Sequence, residues 1–309
     1  GRDEKWKNDV LASMDWDYQK FAQEFSCEFL GSSGTLIDGA TLKRLVPKKP
    51  ISITNNIFVY EEPQKDHTYV GIVDVSRGKG LDYSVLQIID VTQMPYKQVC
   101  IFRDNVTPPV EFTEVIHRIG SHYNQAVTLV EINDIGGQVS DMLYHEYEYE
   151  NVLFTETAGR VGRRLSSGFG TGVEKGIRTT KQVKSVGCSI LKLLVEQTQL
   201  IINDHETISE LSTFSKKGLS YEAEPGCHDD LVMCLVLFAW MSDQRYFKEL
   251  TDINTLAKLR QKSEEELFEE VPLFGHIDDG LHNYHEEDDD TLSYTSSWKK
   301  WDNFNSYLL

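Results

Sequence analysis

Four carboxylates in this chain stand where a carboxylate is costly. Asp74 closes the run Val70-Gly71-Ile72-Val73-Asp74, and Glu131 sits in Val127-Thr128-Leu129-Val130-Glu131-Ile132. Both runs are apolar on alternate and intervening positions alike, so both read as central strands. Asp229 and Asp230 follow His228 and open the apolar run Leu231-Val232-Met233-Cys234-Leu235. An ionised carboxylate in such a place costs several kcal/mol unless it is paired, hydrogen-bonded or bound to metal. An Asp at a helix N-cap accepts backbone N–H groups, which accounts for one of the adjacent pair. Taken singly, each acid is equally well explained by backbone donors; as a set, they have no cation-rich motif to neutralise them. Gathered carboxylates raise one another's pKa unless a cation intervenes. Oxygen-only ligands select a hard cation, Mg²⁺ or Mn²⁺. The chemistry that uses such a set most directly is two-metal phosphoryl transfer, with the ions about 3.5–4 Å apart.

A basic stretch complements these acids. Gly159 to Lys184 carries Arg160, Arg163, Arg164, Lys175, Arg178, Lys181 and Lys184 against one acid, Glu174, a local charge of +6. Its glycines predict a flexible loop suited to sequence-independent contact with a nucleic-acid backbone. The plainer alternative is a solvated loop with ordinary surface charges. Arg77 and Lys79, beside Asp74, are expected near the scissile phosphate. Cys227, His228 and Cys234 lack a suitably spaced fourth ligand for zinc, and His228 is expected to orient an acid or a water. The histidines His276, His282 and His285 read as solvated, and Met233, Phe238 and Trp240 as core.

The elements that must position these groups follow from periodicity. Three β-rich runs, 69–75, 84–90 and 98–103, have short connections and predict an antiparallel meander. Phe112, Val115, Ile116 and Ile119 mark an amphipathic helix, 126–132 a buried strand, 139–147 a helix and 152–155 a strand. The helix expected over 180–197 presents Val183, Val186, Ile190, Leu193 and Leu194 on one face. A short strand at 200–202, a helix at 206–214 and a helix at 229–242, apolar nearly all round and hence buried, complete the pattern. The predicted class is α/β, a mixed sheet with an antiparallel meander plus parallel strands, flanked by helices. Residues 1–65 read as an approach segment and linker, with a helix over 15–30 and linker stretches at 47–50 and 61–63; 66–248 read as the main domain and 249–309 as an acidic, mobile tail.

Composition sets the bounds. The 309 residues are 40% apolar and 11% aromatic, enough for a real core. The formal charge of -18 argues against a partner held by overall charge, but twelve acids lie between Glu264 and Asp290, which leaves -6 elsewhere. The longest strongly apolar run, 231–240, is about half a bilayer span. No signal peptide opens the chain, and five scattered cysteines suit a reducing compartment. Without an initiator Met, the chain reads as a fragment.

The residues also resemble a known family. Gly71-Ile72-Val73-Asp74-Val75-Ser76-Arg77-Gly78-Lys79-Gly80-Leu81-Asp82-Tyr83 is similar to the first motif of the nuclease domain of tailed-phage terminase large subunits, DNA-packaging motor proteins. Val130-Glu131-Ile132-Asn133 with Gly136 resembles the second motif, and Gly226-Cys227-His228-Asp229-Asp230-Leu231-Val232-Met233 the third. Phe25 to Ser32 resembles the exit from the packaging ATPase domain, and the likeness, nearest to T4-like phages, covers roughly residues 15–245.

The resemblance implies an RNase H-like fold and an endonuclease that cuts concatemeric phage DNA at the start and end of headful packaging, leaving a 3′-hydroxyl. It implies catalytic acids at Asp74, Glu131 and one of Asp229 and Asp230, with Asp230 favoured as principal ligand, Asp229 assisting and Asp82 reaching the site or its water shell. Two Mg²⁺ or Mn²⁺ ions are the implied cofactors. Implied partners are double-stranded DNA, an N-terminal packaging ATPase domain, the procapsid portal protein and the small terminase subunit, with no membrane; the implied location is the host cytoplasm, transiently at the portal. No G-x-x-x-x-G-K-[ST] occurs, so no ATP hydrolysis is expected of this chain. The alternatives are an RNase H-like nuclease of the Holliday-junction resolvase type and a non-catalytic module that grips DNA or docks on the portal.

Overall fold

The computed structural model describes residues 34–251, apart from 159–161, 167, 169–171, 219, 246 and 250. The chain divides into two compact units, Gly1–Lys262 and Ser263–Leu309, and every described residue belongs to the first. The helix expected over 15–30, Arg160 and nearly all of the acidic tail lie outside the described residues.

The meander forms as the short connections predict. Strands β3 (Tyr69–Asp74), β4 (Ser84–Asp90) and β5 (Tyr96–Asp104) pair antiparallel in sequence. Strand β6 (Val127–Val130) then lies parallel to β3, and β10 (Leu200–Ile201) parallel to β5. The sheet is therefore mixed, in the order β1-β2-β5-β4-β3-β6 with β10 also on β5. Its outer strands β1 (Ser52–Thr54) and β2 (Ile57–Val59) are a hairpin from the segment read as linker. The physical signal was present: β-branched residues flank Asn55-Asn56, both at positive φ (49° and 61°), as a type I′ turn requires.

Helices cover both faces. On one side lie α2 (Pro109–His122) and α3 (Gly136–His145), packed with Val73, Leu86, Ile88 and Phe102. On the other lie α4 (Lys181–Glu196), α5 (His205–Thr213) and α6 (Asp230–Ser242), packed with Val70, Ile72, Val85 and Ile101. The short α1 (Gly39–Leu42), with Leu36 and Ile37 before it, joins that second core. Every residue from Leu231 to Met241 is buried, as the unbroken apolar run of α6 predicts. The inward face of α4 differs from expectation: Val183, Gly187, Cys188, Leu191, Leu194 and Val195 are buried, while Val186 is 36% and Leu193 52% exposed. Small residues explain the rotation. A Cβ on Gly187 would stand 2.4 Å from the Val236 carbonyl oxygen, so the two helices meet backbone to backbone there.

The basic stretch is not a single flexible loop. Strands β7 (Phe154–Ala158), β8 (Gly162–Ser166) and β9 (Val173–Lys175) form a three-stranded antiparallel sheet in the order β8-β7-β9. A second hairpin, β11 (Phe214–Lys217) with β12 (Ser220–Ala223), follows α5, in a segment without a sequence assignment. Among the described residues no helix is long and apolar enough to cross a membrane.

Candidate active site

Parallel pairing of β3 and β6 sets the centre. Val73 is registered with Val130, and the Glu131 amide continues the ladder onto the Val73 carbonyl at 2.8 Å. The next residues, Asp74 and Glu131, therefore leave neighbouring strands side by side, where strands run about 4.8 Å apart. On its other side Glu131 bridges to Ile177, which holds the end of β6 between β3 and the segment after β9. The start of α3 folds back against this strand end. Only glycine fits at 136, where a Cβ would lie 1.8 Å from the Glu131 carbonyl oxygen.

Asp230 arrives from the opposite layer, at the start of α6. Asp74, Glu131 and Asp230 line one cleft of about 320 Å³, together with Arg77, Lys79, Asp82, Tyr83, Asn133 and Asp134. The cleft thus unites all three expected catalytic acids and Asp82. Asp229 stands at its margin, 3.9 Å from Lys184. Among the described residues no three His, Cys, Asp or Glu side chains form a ready-made metal cage, so the acids surround the space rather than close on one point.

Electrostatics make the space receptive to a cation. Burial, and then the charge and hydrogen bond of Glu131, hold Asp74 well above the usual carboxylate range, with Asp230 and Asp229 adding to the effect. Asp230 is raised chiefly by burial, partly offset by the Tyr83 amide, which donates to its Oδ2 at 3.3 Å. His228 Nδ1 lies 3.6 Å from the same oxygen and its ring meets Tyr83 edge-on at 5.0 Å, in keeping with an orienting role. Asn133 donates to Glu131 Oε1 at 3.0 Å, a positioning contact that the sequence motif contained without revealing. An oxygen-only set of mutually repelling carboxylates fits Mg²⁺ or Mn²⁺ in donor chemistry and in charge.

The basic residues are placed differently from expectation. Arg77 lines the cleft but is held by Asp134, through Nε at 2.7 Å and through Nη2. Arg163, only 13% exposed, and Arg178 both pair with Glu174; Arg164 pairs with Glu156 at 2.6 Å and Lys175 with Asp141 at 2.9 Å. Arg163, Arg164, Lys175 and Arg178, four of the seven cations of this stretch, are thus paired with acids, two of which, Glu156 and Asp141, lie outside it. Lys181 instead joins Lys184 and Lys217, with Thr179, Thr180, Ser220 and Glu222, around a second cleft of about 550 Å³ at the start of α4, where Glu222 pairs with Lys217 at 2.9 Å and leaves three cations against one acid. Lys184, paired with Asp229, and Thr179, whose carbonyl accepts from the Asn133 amide at 3.4 Å, tie this basic cleft to the acidic one. Lys217 belongs to the unassigned β11–β12 hairpin; its only sequence signal was Lys216-Lys217-Gly218 between apolar residues. Cys227 is exposed and Cys234 is buried inside α6, so the two cannot share a zinc.

Comparison with known proteins bears on family and fold. The family model of the terminase RNaseH-like domain matches residues 71–251. Large terminase subunits of Thermus virus P23-45 and Thermus phage G20c are each 23% identical over 224 residues, 71% of this chain and 40% of theirs. The chain therefore spans well under half the length of these relatives. The crystal structure of the large terminase nuclease of thermophilic phage G20c with bound cobalt matches with a TM-score of 0.51 and 20% identity, covering 68% of this chain and 97% of that one. The family model names the fold as RNase H-like, and the structural likeness agrees in fold.

Proposed function

The chain belongs to the terminase RNaseH-like domain family, and on that premise we propose that it is a divalent-metal-dependent DNA endonuclease that cuts concatemeric viral DNA at the start and end of headful packaging. One observation carries this reading: Asp74 and Glu131 end adjacent parallel strands and share a cleft with Asp230. Asp74, Glu131 and Asp230 would hold two Mg²⁺ or Mn²⁺ ions, with Asp229 assisting and Asp82, which lines the same cleft, reaching the ions or their water shell. When bound, such ions lower the pKa of a water and offset charge on a leaving oxygen. A related phage nuclease carries cobalt, which is in keeping with a divalent cation here.

The chain's own residues do the rest. Asn133 fixes the Glu131 carboxylate, while His228 and the Tyr83 amide fix that of Asp230. Lys79 stands in the cleft, where a scissile phosphate would lie, and Arg77 reaches it on release from Asp134. Lys181, Lys184 and Lys217 line the neighbouring path for the sugar-phosphate backbone. The partners of this reading are double-stranded DNA, a packaging ATPase domain, the portal protein and the small terminase subunit, in the host cytoplasm.

Supercoiled plasmid incubated with the protein and Mg²⁺ or Mn²⁺ tests the proposal. Nicked and linear DNA should form, chelator should stop the reaction, and Asp74→Asn should abolish it. Cleavage by Asp74→Asn at the wild-type rate would overturn the assignment.

A further inference from the structure

Asp229 is the N-cap residue of α6, yet its side chain makes no capping hydrogen bond. The amides an N-cap side chain ordinarily takes are those of the second and third helical residues, here Leu231 and Val232. Both donate instead to Glu210 Oε2, at 2.8 and 3.2 Å. Glu210 comes from α5 and is 6% exposed. Arg103 Nη2 faces its other oxygen at 3.2 Å. The Arg103 guanidinium in turn covers the Tyr83 ring, 3.8 Å from its centroid, and the Tyr83 amide holds Asp230.

This is a costly way to cap a helix. Burying a carboxyl and a guanidinium together strips hydration from both, whereas the adjacent Asp229 could cap α6 at almost no cost. The expensive arrangement makes sense if the cheap one would consume a carboxylate needed elsewhere. We propose that Glu210 is a positioning residue, a surrogate cap that satisfies the start of α6 so that Asp229 remains available as a metal ligand. Without Glu210, Asp229 swings back onto the amides of Leu231 and Val232, and the centre loses one of its acids. The proposal rests on the reading of the acids as a metal centre.

Calorimetric titration of the metal-free protein with Mg²⁺ and with Mn²⁺, beside melting temperatures in chelator, tests it. Glu210→Ala should weaken metal binding about tenfold, to the level of Asp229→Ala, and the double variant should bind no more weakly than either single one. In chelator, Glu210→Ala should lower the melting temperature more when Asp229 is already Ala, because the replacement cap is then absent. Wild-type affinity in Glu210→Ala, unchanged affinity in Asp229→Ala, or additive losses in the double variant would overturn the proposal. Should Glu210→Ala not fold, Arg103→Met combined with Glu210→Met removes the cap without stranding a buried charge, and the same tenfold loss is expected. A wild-type protein that binds neither ion contradicts the metal reading itself. Metal binding that Asp74→Asn abolishes and Glu210→Ala spares contradicts only the surrogate cap.

Discussion

Among single residues, the centre is organised by which carboxylates receive donors. Glu131 has the Asn133 amide, Asp230 has the Tyr83 amide, and Asp134 is taken up by Arg77. Asp74 is pressed against Glu131 and holds its proton tightly. Asp74 and Asp230 are raised above 3.8, and burial pushes Glu210 from 4.5 up to about 8 despite Arg103. A carboxyl whose folded pKa is raised binds more protons folded than unfolded, so stability falls as pH rises between the two values. In chelator, the melting temperature should therefore decline from about pH 5 to pH 8, and added Mg²⁺ should restore more of it at pH 8 than at pH 5. The lowered carboxyls Asp38, Asp134, Glu174 and Glu222 act in the opposite sense, but only as pH falls below about 4, outside this window. A flat or rising melting temperature across the window would contradict the account. The four acids were legible in the sequence because apolar neighbours made each of them anomalous. Glu210 was not, because its helix has an ordinary amphipathic pattern and its donors lie 21 and 22 residues away.

At the scale of elements, register and close approach do the positioning. Continuous apolar content in β3, β4 and β6 predicted central strands and the short connections predicted the β3–β5 meander, whereas the parallel register of β6 on β3 depends on a crossover through α2 that strand composition does not encode. The buried helix α6 was equally plain. The face of α4 was misread because counting large apolar residues selects Val186 and Leu193 and overlooks Gly187 and Cys188, where the helix meets α6. A strand was expected at 152–155, where β7 begins, but β8, β9, β11 and β12 escaped because strands of three to five residues rich in Lys, Arg, Glu and Ser carry little periodic signal, and β1 and β2 because three residues each are too few to show a period. A methyl group at 187 should push α6 away from α4 and shift the aspartates at its start. Gly187→Ala is expected to cost about 1–3 kcal/mol in denaturant unfolding and to weaken metal binding. Val186→Ala, on the exposed neighbouring turn, should stay within about 0.5 kcal/mol of wild type. Equal costs for the two substitutions would place the α4–α6 contact elsewhere.

Across the whole molecule, charge is sorted by place. The formal -18 is concentrated in a segment outside the described residues and in the acids of the cleft, while Lys181, Lys184 and Lys217 gather beside that cleft. A chain that is acidic overall can therefore still present a basic path to a phosphate backbone next to an acidic pocket that a cation would neutralise. The family and the sheet were readable from three motifs in order, because each motif is a strand or helix end that the fold brings to one cleft. The location of the basic path was not, because tertiary packing brings Lys181 and Lys184 of α4 beside Lys217 of the β11–β12 hairpin, more than thirty residues away, while Arg164 and Lys175 are taken up by Glu156 and Asp141. The most direct test of the centre is anomalous diffraction from crystals of this protein soaked in Mn²⁺. The account predicts manganese peaks within about 2–2.5 Å of carboxylate oxygens of Asp74, Glu131 and Asp230; saturating Mn²⁺ that leaves Asp74 and Glu131 without a peak between them would contradict it.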